Sequence, residues 1–335
     1  MVPQNETLCR RFFVAFSGRF CYIDGKRFSE GAGGVKFKYP TILRKTMKWK
    51  YLVIILALSL ILAAGCREAG NSNNREVGSI KIASFNIQVF GQSKINKPEV
   101  MDVLSKIIKK FDIVAIQEVR SKEQNVIPTL LNLVNDADTR YDYVISERLG
   151  RTRSKEQYAF VYNPETVDLV PESSYVVEDP DDVFEREPFV AFFRSGNFDF
   201  KLVNNHIKPG DVEAELNQLA VVINDIYDSS SERDVIVLGD MNADGSYFNE
   251  DDLMTILPLW IQLIGNDEDT TVAASDNTYD RMMTRDTTAS VEYTGKSGVF
   301  RWDVEYGVTD TDFIKRVSDH YPIYAEFRTD LADDD

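Results

Sequence analysis

Four short runs in this chain share one grammar: an apolar stretch of strand length that ends in polar residues. They are IKIASFNI (80–87), DIVAIQEV (112–119), FDFKLVNNHI (198–207) and DVIVLGDMN (234–242). Near-continuous apolar runs such as VIVLG read as strands covered on both faces. Helical periods over 98–110, 123–135 and 211–227 separate them, and further strands are expected at 141–147, 157–163, 188–195 and 320–327. Strands alternating with helices specify an α/β protein with central sheets under helices. No repeat or second linker interrupts the run, so 79–329 reads as one domain of about 250 residues, followed by an acidic tail at 330–335.

The N-terminus has a different character. From Met47 the sequence reads MKWKYLVIILALSLILAAGC, with lysines behind the methionine, an apolar run and small residues before Cys66. That order is the pattern of a secretory signal. With cysteine at the cleavage point, 47–66 resembles a bacterial lipoprotein signal, which implies lipidation of Cys66. The apolar run falls short of the ~20 residues a membrane-spanning helix needs. Residues 1–46, with no sustained period, read as an over-extended start, and 67–78 (REAGNSNNREVG) as a flexible polar linker. The expected location is extracytoplasmic, lipid-anchored to a bacterial membrane, at the outer membrane or cell surface, with the folded domain a monomer.

Cys9, Cys21 and Cys66 are the cysteines, so the domain after Cys66 has no disulfide and relies on its core. Of 38 Lys/Arg and 54 Asp/Glu, the first 66 residues hold 11 and 3, leaving 27 and 51 and a net charge of −24 beyond them. Such a surface repels nucleic acid at long range, so a polyanionic substrate has to be met by local arginines and bound cations.

Polar residues gather where the strands end: Asn86, Glu118, His206, and Asp240 with Asn242. Strand ends of open α/β sheets are where ligands collect. Any one of these is an ordinary turn residue; together they form a chemical set. Asn86, Glu118, Asp240, Asn242 and Asp319 are oxygen donors of the kind a hard divalent cation takes. His206 and His320 are the chain's two histidines, and imidazoles oriented by carboxylates suit proton transfer to and from water and a leaving oxygen.

With these residues in place, IASFNIQVFG, FDIVAIQEVR, SERLGR, KEQY, REP, NNHIKP, GDMNAD, YDR and SDHYP resemble, in order, the segments of the deoxyribonuclease I-like branch of the endonuclease/exonuclease/phosphatase superfamily. The likeness runs from Ile80 to Phe327. It implies a four-layered α/β sandwich, two packed mixed β-sheets flanked by helices. It also implies a divalent-cation-dependent endonuclease that hydrolyses double-stranded DNA to 5'-phosphate products with Mg2+ or Mn2+. By the resemblance, Glu118 binds metal with Asn86 and Asp319, and His206 pairs with Glu156 and His320 with Asp280 as acid/base dyads. Asp240 and Asn242 hold water, metal or phosphate oxygen, while Arg120 and Arg186 contact DNA.

Three departures stand out. Ser154, preceded by Arg153, occupies the place of a groove-contacting tyrosine. Both family disulfides are absent, with Gly245 and Asn277 near one pair's positions. The structural calcium loop keeps Asp269, Thr271 and Ser275 as possible ligands but has Ala273 between them. Two other readings stand beside the nuclease. One is a phosphatase or phospholipid phosphodiesterase of the same superfamily. The other is a non-enzymatic calcium-binding surface lipoprotein, because Asp240-x-Asn242-x-Asp244-Gly245 with Asp251 at the twelfth position opens like an EF-hand loop, although after a strand rather than a helix.

Overall fold

Alternation along the long strands sorts apolar side chains between three buried layers. The structure, a computed structural model, describes residues 78–153, 155–285 and 291–332. The stretches expected to be an over-extended start (1–46) and a signal segment with Cys66 (47–66), nearly all of the expected linker, Ser154 and the last three residues of the expected tail lie outside the described residues. Among the described residues no helix is long and apolar enough to cross a membrane.

The strands in chain order are β1 (Ser79–Gly91), β2 (Ile113–Arg120), β3 (Asp142–Ile145), β4 (Gln157–Tyr162), β5 (Asp168–Leu169), β6 (Tyr175–Val176), β7 (Phe189–Ser195), β8 (Phe198–His206), β9 (Val235–Asp240), β10 (Trp260–Gln262), β11 (Asp280–Arg285), β12 (Tyr293–Val299) and β13 (Ile323–Arg328). A six-stranded sheet has the order β12-β13-β1-β2-β4-β3, and a seven-stranded sheet the order β10-β11-β9-β8-β7-β5, with β6 also on β7. β1 and β2 are parallel, as are β8 and β9, and the other pairs are antiparallel. Both sheets are therefore mixed.

One face of each sheet packs on the other sheet. Ile80 and Ile82 of β1, Ile113 and Ala115 of β2, Phe198, Phe200 and Leu202 of β8, and Ile236 and Leu238 of β9 share that inner cluster. Phe198 stacks on Phe327 of β13 across it, with ring centroids 5.6 Å apart. The intervening residues face outward. On the first sheet Ala83, Phe85, Val114 and Ile116 meet helices α1 (Pro98–Ile108) and α2 (Val126–Val134). On the second, Val203, Val235 and Val237 meet α3 (Val212–Ser229). The result is helix, sheet, sheet, helix, the four-layered sandwich expected. Helix α1 shows why this sequence makes its layer. Pro98 sits in the first turn, where its missing N–H costs nothing, and Val100, Met101, Leu104, Ile107 and Ile108 recur at helical spacing on the buried face.

The inner face changes character along the strands, and that change positions the site. Following the same face outward, Ile82 gives way to Ser84 and Asn86, Ala115 to Gln117, Leu202 to Asn204 and His206, and Leu238 to Asp240. A buried polar layer ties the sheets beneath the site: Gln117 Nε2 donates to Asn204 Oδ1 (2.7 Å) and Ser84 Oγ (3.0 Å). Strands β4, β11 and β13 start from this end, so Glu156, Asp280 and His320 arrive there from the opposite direction.

The expected strands are all present with small shifts in their bounds, and β5, β6, β10, β11 and β12 are additions to the sequence reading. DRMMTR and YTGKSGV carry charges and glycines that mask the strand period. Arg281 of β11 is fully buried, its guanidinium on Asn266 Oδ1 (2.8 Å) and near Glu250 Oε2 (3.4 Å).

Candidate active site

Two interruptions of the sheet ladder build the first corner. The β1–β2 register shifts between Asn86 and Phe90, and the β2–β4 register between Ile116 and Val119. Glu118 lies inside the second shift with φ of 61°, a left-handed conformation uncommon for a non-glycine residue and often found where function demands it. Bulges of this kind re-aim a side chain. Here Glu118 Oε1 accepts from Asn86 Nδ2 (3.2 Å), and its Oε2 accepts from the Val89 amide (2.8 Å) and from Arg120 Nη2 (2.8 Å).

Asn86 joins this corner to the centre, since Nδ2 also donates to Asp240 Oδ2 (2.9 Å). That same Asp240 oxygen stands 3.6 Å from Nε2 of His206 and 3.6 Å from Nε2 of His320. Each imidazole is held from behind by a carboxylate: His206 Nδ1 to Glu156 Oε2 at 3.0 Å, and His320 Nδ1 to Asp280 Oδ2 at 2.7 Å. With Nδ1–H donated to a carboxylate, Nε2 is the nitrogen left for chemistry. Both dyads therefore converge on one buried carboxylate. Asn242, at φ 48°, caps the turn after β9: its amide donates to Asp240 Oδ1 (3.1 Å) and its Nδ2 to the Ile207 carbonyl (2.9 Å).

Charges around the dyads set their ionisation. Burial lowers the pKa of His320, but Asp280, Asp240 and Asp319 raise it further, and it is pushed up to about 10. Burial raises the Glu156 carboxyl, yet the His206 hydrogen bond and the charges of His206, Arg186 and Arg120 outweigh it and pull the pKa from 4.5 to about 2. A depressed carboxylate contributes stability that is present above its usual pKa and lost as pH falls through the folded value. Glu156→Gln should therefore flatten the fall of the urea midpoint between pH 4.5 and 2. Equal slopes in the two proteins over that window would contradict the burial of an ionised Glu156.

Arg120 and Arg186, expected at DNA, both point at Glu156. Arg120 Nη2 is 2.7 Å from Glu156 Oε1, so this arginine ties the Glu118 corner to the His206 dyad. Arg186 is 9% exposed. Its Nη1 is 3.2 Å from Glu156 Oε1, while Nε and Nη2 donate to the His206 carbonyl at 3.2 and 3.1 Å. The structure thus puts Arg186 behind the dyad. The Tyr158 hydroxyl accepts from the His206 amide (2.9 Å) and completes the clamp on that residue.

Asp319 sits on the other side of His320, with Oδ1 3.8 Å from Nε2 and Oδ2 accepting from Gln88 Nε2 (2.6 Å). Three participants escaped the sequence reading. Gln88 follows Asn86 by two positions, the strand spacing that could have found it. Ser318 donates from Oγ to the Asn86 carbonyl (2.7 Å) and accepts from the His320 amide (3.2 Å), which docks the SDH turn on β1. Lys94 is buried with its ammonium on the Val317 carbonyl (2.7 Å). Burial lowers its pKa to about 8, against the pull of Asp319 and Glu118.

The donor chemistry fits a hard divalent cation. Asn86 Oδ1 and Asp319 Oδ1 are buried oxygens without a hydrogen-bond partner, an arrangement that is costly unless a cation or water meets them. Asp240, Asp280 and His320 form a second group compact enough to hold a metal, and within it His320 and Asp280 are bonded to each other at 2.7 Å. The calcium-loop residues also come together. Asp269 Oδ1 accepts from the Thr271 amide (3.0 Å) and hydroxyl (3.1 Å), and Ser275 Oγ accepts from Asn277 Nδ2 (2.7 Å). The loop's own donors meet these oxygens, and a calcium ion would have to displace them.

The comparisons with known proteins agree with this geometry. The model of the Endonuclease/Exonuclease/phosphatase family matches residues 83–320. The chain belongs to that family and is a hydrolase, a deoxyribonuclease I-like phosphodiesterase. Deoxyribonuclease gamma from Homo sapiens is 35% identical over 268 residues, covering 76% of this chain and 88% of the relative. Deoxyribonuclease-1 from Homo sapiens is 35% identical over 259 residues, covering 73% and 91%. Among solved structures, an endonuclease/exonuclease/phosphatase family protein from Bacteroides thetaiotaomicron aligns with a TM-score of 0.53 at 16% identity, covering 77% of this chain and all of that one. A mannosyl-6-phosphatase from the same organism aligns at 0.51 and 14%, covering 73% and 98%. These two share the fold.

Proposed function

We propose that this chain is a divalent-cation-dependent endonuclease that hydrolyses phosphodiester bonds of double-stranded DNA, leaving 5'-phosphate ends. The observation that carries the reading is the convergence of both histidine–carboxylate dyads on Asp240, each Nε2 3.6 Å from the same oxygen. Similarity to two deoxyribonucleases along most of their length supports DNA as the substrate.

Hydrolysis forms a bond from water oxygen to phosphorus and breaks the bond from phosphorus to the 3' oxygen. One proton leaves the water and one reaches the departing oxygen. His320 is held cationic among Asp280, Asp240 and Asp319, and supplies its Nε2 proton to the leaving oxygen. His206 takes the proton from water at Nε2, and Glu156 stabilises the imidazolium that forms. Asp240 orients both rings. Arg186 and Tyr158 act as positioning residues by fixing the His206 backbone. Asn86, Glu118 and Asp319 would hold Mg2+ or Mn2+, which supplies charge stabilisation for the phosphoryl oxygens.

The test offers supercoiled plasmid, a sugar phosphate and a phospholipid to the chain from Ser79 onward, with Mg2+ present or chelated. Metal-dependent conversion of plasmid to nicked circles with 5'-phosphate ends is expected. Turnover of the sugar phosphate or phospholipid with no nicking would move the function to another branch of the family.

A further inference from the structure

A short pairing holds the His320 dyad from behind. Thr271 and His320 form an isolated antiparallel bridge. On one side of it the Tyr321 amide donates to the Thr270 carbonyl (2.8 Å), and on the other the Val272 amide donates to the Asp319 carbonyl (2.8 Å). Residues 270–272 therefore fix the main chain on which His320 sits.

The other half of the dyad is held by the same segment. Thr270 is fully buried, and its Oγ1 accepts from the Tyr279 amide (3.1 Å) and from the Asp280 amide (3.2 Å). The hydroxyl donates in turn to the Asn277 carbonyl (3.3 Å). A hydroxyl offers one hydrogen and two lone pairs, so its whole capacity is used here. Asp280 opens β11 beyond the reach of β10, which pairs with β11 only from Met283 to Arg285, and Thr270 supplies the acceptor for its amide. His320 Nδ1 and Asp280 Oδ2 meet at 2.7 Å across 40 positions of sequence. One threonine spaces both backbones, by its side chain at Asp280 and by its carbonyl at the residue after His320.

We propose that Thr270 is a positioning residue for the proton-donating dyad: its hydroxyl sets where Asp280 stands, its carbonyl sets where the His320 turn stands, and together they aim His320 Nε2. The inference rests on the nuclease reading, with His320 as the acid. Valine in this place keeps the shape of threonine but leaves two buried amides without their acceptor, and the start of β11 has to move to satisfy them. A misplacement of about 1 Å at a reacting group is enough to cost roughly 10²-fold in rate.

The experiment compares wild type, Thr270→Val and Thr270→Ser in DNA cleavage and in the imidazole region of NMR spectra, with thermal midpoints to confirm folding. The chain's two histidines give two sets of ring signals, assigned with His206→Ala and His320→Ala. Thr270→Val should lose roughly 10- to 100-fold in kcat with KM unchanged. It should shift the ring signals of His320 and leave those of His206 in place. Thr270→Ser keeps the hydroxyl and should recover most of the wild-type rate and spectrum. On a linkage whose leaving 3' oxygen is replaced by sulfur, which departs without a proton, the gap between Thr270→Val and wild type should close; a threonine that only holds the fold would slow both linkages alike. Unmoved His320 signals in Thr270→Val, equal shifts at both histidines, or equal losses on the oxygen and sulfur linkages would overturn the proposal. If Thr270→Val unfolds, Thr270→Ala removes the same acceptor and takes its place with the same expectations. A wild type that cleaves no DNA would sink the nuclease reading, and the spectra would still decide whether Thr270 positions the dyad.

Discussion

On the proposed function, His320→Ala should lower the nicking rate by ~10²–10⁴-fold, the usual worth of a positioned proton donor, with little change in DNA binding. The size follows from where the ring sits. It is 8% exposed, bonded through Nδ1 to the fully buried Asp280, and its other nitrogen faces Asp240. His206 is not free to take over, because it is committed to its own carboxylate on the far side of Asp240. The assignment of His320 as acid has a sharper consequence. A DNA linkage whose leaving 3' oxygen is replaced by sulfur needs no proton to depart, so that substrate should restore most of the rate to His320→Ala. It should not restore His206→Ala. Equal rescue of both variants, or of neither, would break the assignment.

Gly239→Ala should destabilise the protein by more than about 3 kcal/mol, beyond the ordinary cost of overpacking. Gly239 pairs with Asn205 where parallel strands β8 and β9 approach their ends. A Cβ there would stand 1.9 Å from the Asn205 carbonyl oxygen, and the residue has φ of 148°, which side chains rarely adopt. The obstruction is backbone, so it cannot rotate away. The two strands must separate at the place where they deliver His206 and Asp240 in register. The thermal midpoint should fall by roughly 6–12 °C for a domain of this size, and nicking should fall with it at temperatures where the chain is still folded. A midpoint within 2 °C of wild type would show that the strands accommodate the methyl group.

Much of this centre is legible in the sequence because strand polarity is. An inner face that reads Ile82, Ser84, Asn86 or Leu202, Asn204, His206 announces both the buried layer and the end at which polarity gathers. Pairing His206 with Glu156 and His320 with Asp280 needed the family resemblance, since partners 50 and 40 positions apart carry no local signal. The bulge at Glu118 was hidden for a physical reason. Strict alternation would put Gln117 and Glu118 on opposite faces, and only the register shift with its positive φ turns the carboxylate toward Asn86. Arg186 was placed at DNA by the resemblance alone, and nothing local in REP announces that Glu156 and the His206 carbonyl provide enough acceptors to bury it. Strand β11 was missed because a buried arginine breaks its apolar pattern, and the compensating partners, Asn266 and Glu250, lie far away in sequence.

The central claim is that two dyads serve one reaction through one buried carboxylate. Groups that act as a unit are strongly non-additive when removed. Single-turnover nicking of supercoiled plasmid in Mg2+ by wild type, His206→Ala, His320→Ala and the double variant measures this directly. Each single variant should lose ~10²–10⁴-fold, and the double variant should fall within about tenfold of the slower single one. Wild-type nicking by either single variant, or losses that multiply in the double variant, would contradict the account.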